Sequence, residues 1–132
     1  MTVRTATCGC GQLSATCTGD PVRISVCHCL ECQKRSGSAF AVQARWPAEN
    51  VAVTGAYEEW SRVGDSGGGA TFRFCPTCGS TVFYLIDGMP DVIAVAVGAF
   101  ADPTFPSPRI SVYEERRHEW VAVLGDDIER FE

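Results

Sequence analysis

Seven of the eight cysteines in this chain fall into three short groups, and their spacing is where the chemistry is concentrated. The groups are Cys8 with Cys10, then Cys27, Cys29 and Cys32, then Cys75 with Cys78, while Cys17 stands alone. Eight cysteines in 132 residues are about 6%, below the roughly 8–10% of small disulfide scaffolds. Reduced intracellular thiols bind metal more often than they form disulfides. The cysteines therefore predict metal sites.

The third group has the form of a zinc knuckle, in which two cysteines three positions apart enclose a proline and precede Gly79. A turn of this kind points backbone N–H groups at the sulfurs and stabilises the thiolates that zinc requires. Two sulfurs cannot complete a tetrahedral site, and Cys8 and Cys10 are the natural complement. The spacing predicts a closed structural Cys₄ site at Cys8, Cys10, Cys75 and Cys78. Free buried cysteines or a disulfide pair are the alternatives.

The middle group places three thiols within six residues. Three protein ligands with one open position are typical of a catalytic zinc. Two alternatives would close the site and make it structural, with either Cys17 or His28 as the fourth ligand. His28 lies between two ligands, and in an extended segment its side chain points away from theirs. The open position at Cys27, Cys29 and Cys32 is the favoured interpretation.

The elements that must position these thiols are predicted to be short strands. Apolar and polar residues alternate in several segments, as expected for half-buried strands, and turns containing glycine or proline separate them. The run at 92–100 has the length and the valines of a buried strand. The predicted strands are 22–26, 40–46, 51–53, 57–62, 72–74, 82–86, 92–100, 110–113 and 119–124.

One helical turn is predicted over residues 30–36, ended by Gly37 in the left-handed conformation. Residues 64–69 predict a flexible surface loop, and they are not a phosphate loop because no Gly-Lys-Ser/Thr follows. Many short strands joined by turns indicate an all-β architecture. We find no repeat or linker, and we expect residues 1–132 to form a single domain.

Composition and charge exclude several classes of function. The net charge of −5 and the pI of about 5.0 argue against a nucleic-acid partner, because phosphate contacts need clustered Lys and Arg. No apolar run approaches the roughly 18–20 residues of a membrane helix. The first residues lack the apolar stretch of a secretory signal. A cytoplasmic location is expected.

Several segments resemble the glutathione-dependent formaldehyde-activating enzyme family, which includes centromere protein V-like proteins. Cys17 has no part in this pattern. The matching segments cover most of the chain in order, and they are Cys8-Gly9-Cys10-Gly11, Cys27-His28-Cys29-Leu30-Glu31-Cys32 with its continuation to Ser36-Gly37, Phe74-Cys75-Pro76-Thr77-Cys78-Gly79-Ser80, and Trp120 with Asp126-Asp127-Ile128.

The resemblance implies an Mss4-like fold, a mainly β domain of short antiparallel strands built around zinc. It implies two zinc ions per chain. Cys8, Cys10, Cys75 and Cys78 would be the structural ligands, and Cys27, Cys29 and Cys32 would be the ligands of a second, catalytic zinc.

The activity implied is a carbon–sulfur lyase reaction read backwards, the condensation of glutathione with formaldehyde to S-hydroxymethylglutathione. An open zinc position can hold a thiol as thiolate near pH 7, and the thiolate can attack the aldehyde carbon. Glutathione carries two carboxylates, so its pocket should supply cations. Lys34 and Arg35 follow the last ligand directly, while Arg45 and Arg73 lie on nearby predicted strands.

Two residues near the thiols have weaker functional interpretations. Glu31 lies within the ligand loop and is a candidate proton relay, although a solvent-facing position on the helical turn is the simpler interpretation. His118 is expected to decorate a strand edge. Small-molecule thiols and electrophiles are the expected partners. Two other classes compete with the enzyme: a zinc-stabilised binding module, and a metal store or redox sensor that uses Cys27–Cys32.

Overall fold

The computed structural model describes residues 1–63 and 67–132, and within these ranges the chain forms eleven strands and one α-helix. The mainly β class is confirmed. The helix α1 spans Leu30–Ser36, and 3₁₀ turns lie at Ala48–Asn50, Val97–Phe100 and Glu114–Arg116. The strands are β1 (Val3–Thr7), β2 (Ser14–Thr18), β3 (Arg23–Cys27), β4 (Ala41–Pro47), β5 (Val51–Thr54), β6 (Glu58–Val63), β7 (Gly69–Phe74), β8 (Thr81–Ile86), β9 (Met89–Ala96), β10 (Ile110–Val112) and β11 (Glu129–Arg130).

The strands form two sheets. The small sheet has the order β1-β2-β5, and the large sheet has the order β11-β10-β3-β4-β9-β8-β7-β6. Most neighbours are antiparallel, but β10 is parallel to both β3 and β11. The expectation of antiparallel strands is therefore wrong at this edge. A tight hairpin forces two strands to be antiparallel, and no hairpin joins β10 to β3 or β11.

The main apolar core lies where the small sheet meets the large one. Cys17 of β2 is fully buried here, in one cluster with Trp46 of β4, Phe83 of β8 and Val95 of β9. The indole N–H of Trp46 donates to the carbonyl of Gly19 at 3.0 Å, so the largest core side chain leaves no polar atom without a partner. This core holds the two sheets together.

The helix α1 has the boundaries that the sequence predicts. Its N-cap is Cys29, whose sulfur accepts a hydrogen bond from the Cys32 backbone N–H at 3.3 Å. Gly37 ends the helix at φ 68°, and its N–H donates to the carbonyl of Gln33. A positive φ at this position is the usual glycine C-cap.

The strand predicted at 119–124 is wrong, because these residues form turns and irregular backbone. Trp120 is 75% exposed and Leu124 is 84% exposed, and Val121 is the buried residue of the segment. The carbonyl of Val123 accepts from the Arg130 guanidinium at 2.7 Å instead of from a neighbouring strand. The last described strand is β11.

Other predicted elements differ in extent. The run at 92–100 is a strand only as far as Ala96, and Val97–Phe100 is a 3₁₀ turn. The strands β1 and β2 were not predicted, although they pair in register from Val3 with Thr18 to Thr7 with Ser14. The loop predicted at 64–69 lies partly outside the described residues, and Gly69 begins β7. Among the described residues, no helix is long and apolar enough to cross a membrane.

Candidate metal centres

Two turns bring the first and third cysteine groups together. Cys8 and Cys10 follow β1, and Cys75 and Cys78 lie between β7 and β8. The four sulfurs all lie within 4.8 Å of one another, and Cys10 Sγ is 3.6 Å from Cys8 Sγ and 3.7 Å from Cys75 Sγ. Sulfurs around a tetrahedral zinc with bonds of about 2.3 Å lie about 3.8 Å apart. These four thiols therefore fit a zinc ion.

Hydrogen-bond donors surround the sulfurs of this group. The backbone N–H groups of Thr77 and Cys78 point at Cys75 Sγ from 3.3 and 3.5 Å, as the knuckle spacing predicts. Hydrogen bonding from the side chain and backbone of Ser80 lowers the pKa of Cys78 to about 5. Burial raises the pKa of Cys75, but the donors outweigh it and lower that pKa to about 7. Both residues favour the thiolate form that binds metal.

Gln12 is a member of this site that the sequence did not reveal. Its side-chain N–H donates to Cys75 Sγ at 3.0 Å and to the carbonyl of Ala56 at 2.7 Å. Its side-chain oxygen accepts from the N–H of Ala56 at 2.9 Å. One amide thus links the cysteine group to the β5–β6 connection. A glutamine two positions after Cys10 gives no sequence signal for this role, because both partners are far along the chain.

The middle group gathers at the junction of β3 and α1. Cys27 ends β3, Cys29 caps the helix and Cys32 lies in its first turn. Their three sulfurs lie within 4.8 Å of one another, and all three residues are buried. Cys29 accepts hydrogen bonds from the thiols of Cys27 and Cys32 and from the Cys32 backbone, which lowers the pKa of Cys29. Three soft, closely spaced donors suit zinc.

In the described part of the chain, no fourth cysteine, histidine or carboxylate joins this group. Cys17, one candidate for closing the site, lies in the apolar core between the sheets, where burial raises its pKa to about 11. The other candidate, His28, directs its Nε2 to Ser111 Oγ at 2.9 Å, with a Glu114 oxygen at 3.4 Å. Neither side chain joins the three thiols.

Hydrogen bonds link the end of β10 and the residues after it to the loop that carries Cys27 and Cys29. The N–H of His28 donates to the carbonyl of Val112 at 3.1 Å. Gln33 of α1 donates to the carbonyls of His28 and Arg116 at 2.9 and 3.2 Å, and its oxygen lies 2.8 Å from His118 Nε2. His118 therefore supports the helix and does not decorate a strand edge. These hydrogen bonds tie the loop that carries Cys27 and Cys29 to the segment that follows β10.

Arg62 is a second residue that the sequence did not reveal. It lies on β6, and its Nη2 donates to Cys32 Sγ at 3.4 Å. The Arg62 guanidinium also lies 5.4 Å from the centre of the Phe72 ring. Its charge lowers the pKa of Cys29 as well. A cation beside three thiols stabilises their ionised forms.

The predicted substrate cations lie in different surroundings. Lys34 is exposed, and its amine lies 3.7 Å from a carboxylate oxygen of Glu31. Arg35 lies over the rings of Phe72 and Tyr84, at 4.5 and 5.4 Å from their centres. Its Nε is buried without a hydrogen-bond partner among the described residues. No described carboxylate pairs with Arg35, and its side chain lines the cavity described below.

The other two cations also differ from each other. Arg73 of β7 is engaged, because its Nε and Nη2 each lie 2.9 Å from a Glu59 oxygen. Arg45 of β4 forms no ion pair with any described residue, and burial lowers its pKa. Arg45 is thus the second predicted cation whose charge has no protein counterion in the described structure.

A cavity of about 700 Å³ borders the four-cysteine group at Cys8. Its lining also includes Gly79, Ser80, Arg35 and Ala41, but none of the three cysteines of the middle group. A second groove of about 550 Å³ adjoins Arg35. The cavity is large enough for a small ligand. A small molecule in this cavity would lie against Cys8 and Arg35.

Comparison with known proteins agrees with this geometry. A family model described as glutathione-dependent formaldehyde-activating enzyme matches residues 3–116. The chain belongs to the glutathione-dependent formaldehyde-activating enzyme family, as the cysteine-containing segments predict. No curated protein matches the chain.

A solved structure shares the fold. The chain is similar to the crystal structure of a Rhodobacter sphaeroides protein, a Northeast Structural Genomics target, with a TM-score of 0.58. The sequences are 22% identical, and the match covers 77% of this chain and 91% of that one. At this identity the likeness concerns the fold alone.

Proposed function

We propose that the protein is a zinc-dependent carbon–sulfur lyase-type enzyme resembling S-(hydroxymethyl)glutathione synthase. In this reaction the sulfur of glutathione, or of a related thiol, forms a bond to the carbon of formaldehyde or a similar small electrophile. The carbon–oxygen π bond opens onto oxygen as the carbon–sulfur bond forms, and that oxygen takes up the proton that the thiol loses, so no redox change occurs. We place the reaction in the cytoplasm, where thiols remain reduced.

The observation that carries the proposal is the contrast between the two thiol groups. Cys8, Cys10, Cys75 and Cys78 supply four donors, which suits a closed structural zinc. The group of Cys27, Cys29 and Cys32 supplies three, and no fourth protein donor joins it in the described residues. A site with three protein ligands leaves one position for a substrate.

The residues around the three thiols suit a substrate of this class. When bound there, zinc would supply the Lewis acidity that favours the thiolate form of an incoming thiol. Arg35 reaches the same place from α1 and is available to bind a carboxylate of the thiol. Lys34 is one helix position earlier and, by the same reasoning, offers a weaker and more exposed contact. The hydrogen bonds that link Val112, Arg116 and His118 to His28 and Gln33 help to keep the three ligands preorganised.

The test measures adduct exchange at equilibrium, because the uncatalysed addition of thiols to formaldehyde is already facile. Zinc-loaded protein is mixed with formaldehyde and glutathione, and exchange between free and adduct forms is followed by NMR. We expect micromolar protein to accelerate exchange, and we expect Cys32→Ser to abolish the acceleration. Cys17→Ala is the matched control, because Cys17 is a buried thiol outside both groups. Equal rates with and without the zinc-loaded protein would refute the proposal.

A further inference from the structure

Two arginines face each other on the strands that lead to the three thiols. Arg23 of β3 and Arg45 of β4 are directly opposite in the antiparallel register. Residues alternate between the two faces of a strand, so Arg23 shares a face with Ser25 and Cys27. Arg45 lies on that same face with Gln43 and Ala41. The face therefore carries three successive cross-strand pairs, with cations at one end and Cys27 at the other.

The charges of Arg23 and Arg45 are not neutralised within the described structure. Neither guanidinium forms an ion pair with a described carboxylate, although the chain contains 16 acidic residues and has a net charge of −5. The Nε of each is buried without a hydrogen-bond partner. Arg45 Nη1 makes one long contact, to the thioether sulfur of Met89 at 4.0 Å.

A pair of like charges placed directly opposite in a sheet is destabilising. Burial lowers the pKa of Arg45, and the charge of Arg23 lowers it further. An anion between the two guanidinium groups would relieve this repulsion. Arginine pairs bind carboxylates strongly because several N–H donors reach the two oxygens at once.

The distance to the thiol group sets the kind of ligand. Arg23 and Cys27 are four residues apart along β3, which is about 13 Å at roughly 3.3 Å per residue. Ser25 and Gln43 lie between, and the Gln43 amide donates to Ser25 Oγ at 2.9 Å. A ligand whose sulfur lies at the three thiols could place a group at the arginine pair only if it is elongated and carries that group at its far end.

We propose that Arg23 and Arg45 form a subsite for a carboxylate of the thiol substrate, at the end of the molecule distant from its sulfur. This inference rests on the proposed function and adds to it the residues that would hold the distant carboxylate of the thiol. The subsite is distinct from Arg35, which lies on α1 beside Cys32. Ser25 and Gln43 between the two places are buried, so a thiol held at both would lie over the side chains that cover them.

The experiment measures binding without any reaction at sulfur. The probe is S-methylglutathione, whose thiol is blocked and whose two carboxylates are free, and its dimethyl ester removes both charges. Affinity for the zinc-loaded protein is measured by calorimetry with the wild type, Arg23→Gln and Arg45→Gln. Arg109→Gln is the matched control: it removes the same charge from an exposed arginine that pairs with Asp127 at 2.9 Å.

We expect Arg23→Gln and Arg45→Gln each to lower the affinity for the probe about ten-fold or more, because each removes a hydrogen bond to a charged group. The control should match the wild type, and the ester should bind much more weakly than the acid. Without ligand, both variants should unfold at the wild-type temperature or above it, since a repulsive pair has been removed. A purely structural role predicts a lower unfolding temperature instead.

The inference is overturned if the probe binds the wild type and both variants equally, if the ester binds as well as the acid, or if the wild type does not bind the probe. These outcomes are separate from failure of the proposed function. Arginine-dependent binding without accelerated exchange would remove the enzyme and leave the subsite. Accelerated exchange with an unchanged KM in Arg45→Gln would remove the subsite and leave the enzyme.

Discussion

The guanidinium of Arg62 donates to the sulfur of Cys32 at 3.4 Å, across 30 residues of sequence. This contact places a cation against the group of three thiols. Among the described residues, no other basic side chain donates a hydrogen bond to these sulfurs. Three thiolates around a divalent ion carry a net charge of −1, which the guanidinium balances.

Arg62→Gln is expected to weaken the hold of the middle group on its metal. A hydrogen bond to a charged group contributes about 1.5–3 kcal/mol when well shielded. Because Arg62 is only half-buried, we expect about ten-fold faster release of one of two zinc ions to a chelator. In cobalt-substituted protein, the sulfur-to-metal charge-transfer band should shift. Arg73→Gln, with its guanidinium engaged by Glu59, is the control. Identical release from all three proteins would contradict the role of Arg62.

The two thiol groups are expected to differ in what their loss does to the fold. Cys75 joins the β7–β8 turn to the turn after β1, and a structural zinc contributes folding free energy of the order of 10 kcal/mol. Cys75→Ser should therefore be insoluble or unfolded. Cys32→Ser, within a group that spans six residues, should stay folded and retain one zinc.

Circular dichroism and elemental zinc analysis distinguish these outcomes. Cys17→Ala should keep two zinc ions and remain folded, because Cys17 lies in the apolar core and outside both groups. A serine at this position would be a poorer control, since it buries a hydroxyl in that core. If Cys32→Ser unfolded as completely as Cys75→Ser, both groups would be structural.

Glu114 is expected to stabilise the segment after β10, which contacts the loop that carries Cys27 and Cys29. Its carboxylate accepts from Ser111 and lies 3.6 Å from Arg117 and 3.7 Å from Arg130. Burial raises the pKa of Glu114, but the Ser111 hydrogen bond and the nearby cations outweigh it and lower that pKa. Glu114→Gln should lower the free energy of unfolding by about 1–3 kcal/mol. Glu115→Gln, at an exposed position, is the control.

The pH dependence of that difference follows from the sign of the shift. A carboxylate with a lowered pKa stabilises the fold above its ordinary value of about 4.3 and loses the effect as the pH falls through the lowered value. Burial lowers the pKa of His28, so that neighbour is neutral above its ordinary pKa of about 6.5. Urea unfolding of the wild type and Glu114→Gln should give the same difference from pH 6.5 to 8. A difference that grows as the pH falls from 8 to 6.5 would instead indicate a charged His28.

Gly55→Ala is expected to destabilise the small sheet and the first thiol group together. Gly55 has φ 102°, and an added Cβ would lie 2.0 Å from the carbonyl oxygen of Gln12. Strain of this kind costs about 1–3 kcal/mol before the clash is counted. Gly98→Ala is the control, because an added Cβ there meets nothing within 4 Å. Thermal unfolding should show a large decrease for the first variant and little change for the second.

The local features of this protein are determined by the sequence itself. The knuckle at Cys75 and Cys78 and the helix from Leu30 to Ser36 are formed by hydrogen bonds that span three to five residues. Interactions of that range depend only on neighbouring residue types, so spacing and a final glycine were enough to predict them. The same holds for most strands of the large sheet, where alternation marks the buried face.

Only the tertiary structure decided which distant groups meet. Arg62 at Cys32, Gln12 at Cys75 and the opposition of Arg23 with Arg45 all depend on strand register. Register is set by how whole faces pack, and a shift of one residue would turn each side chain to the other face. Residues 119–124 show the converse: they carry a strand-like pattern, yet no neighbouring strand takes up their backbone hydrogen bonds. An alternating pattern favours a strand, but the strand forms only where a neighbouring strand can pair with it.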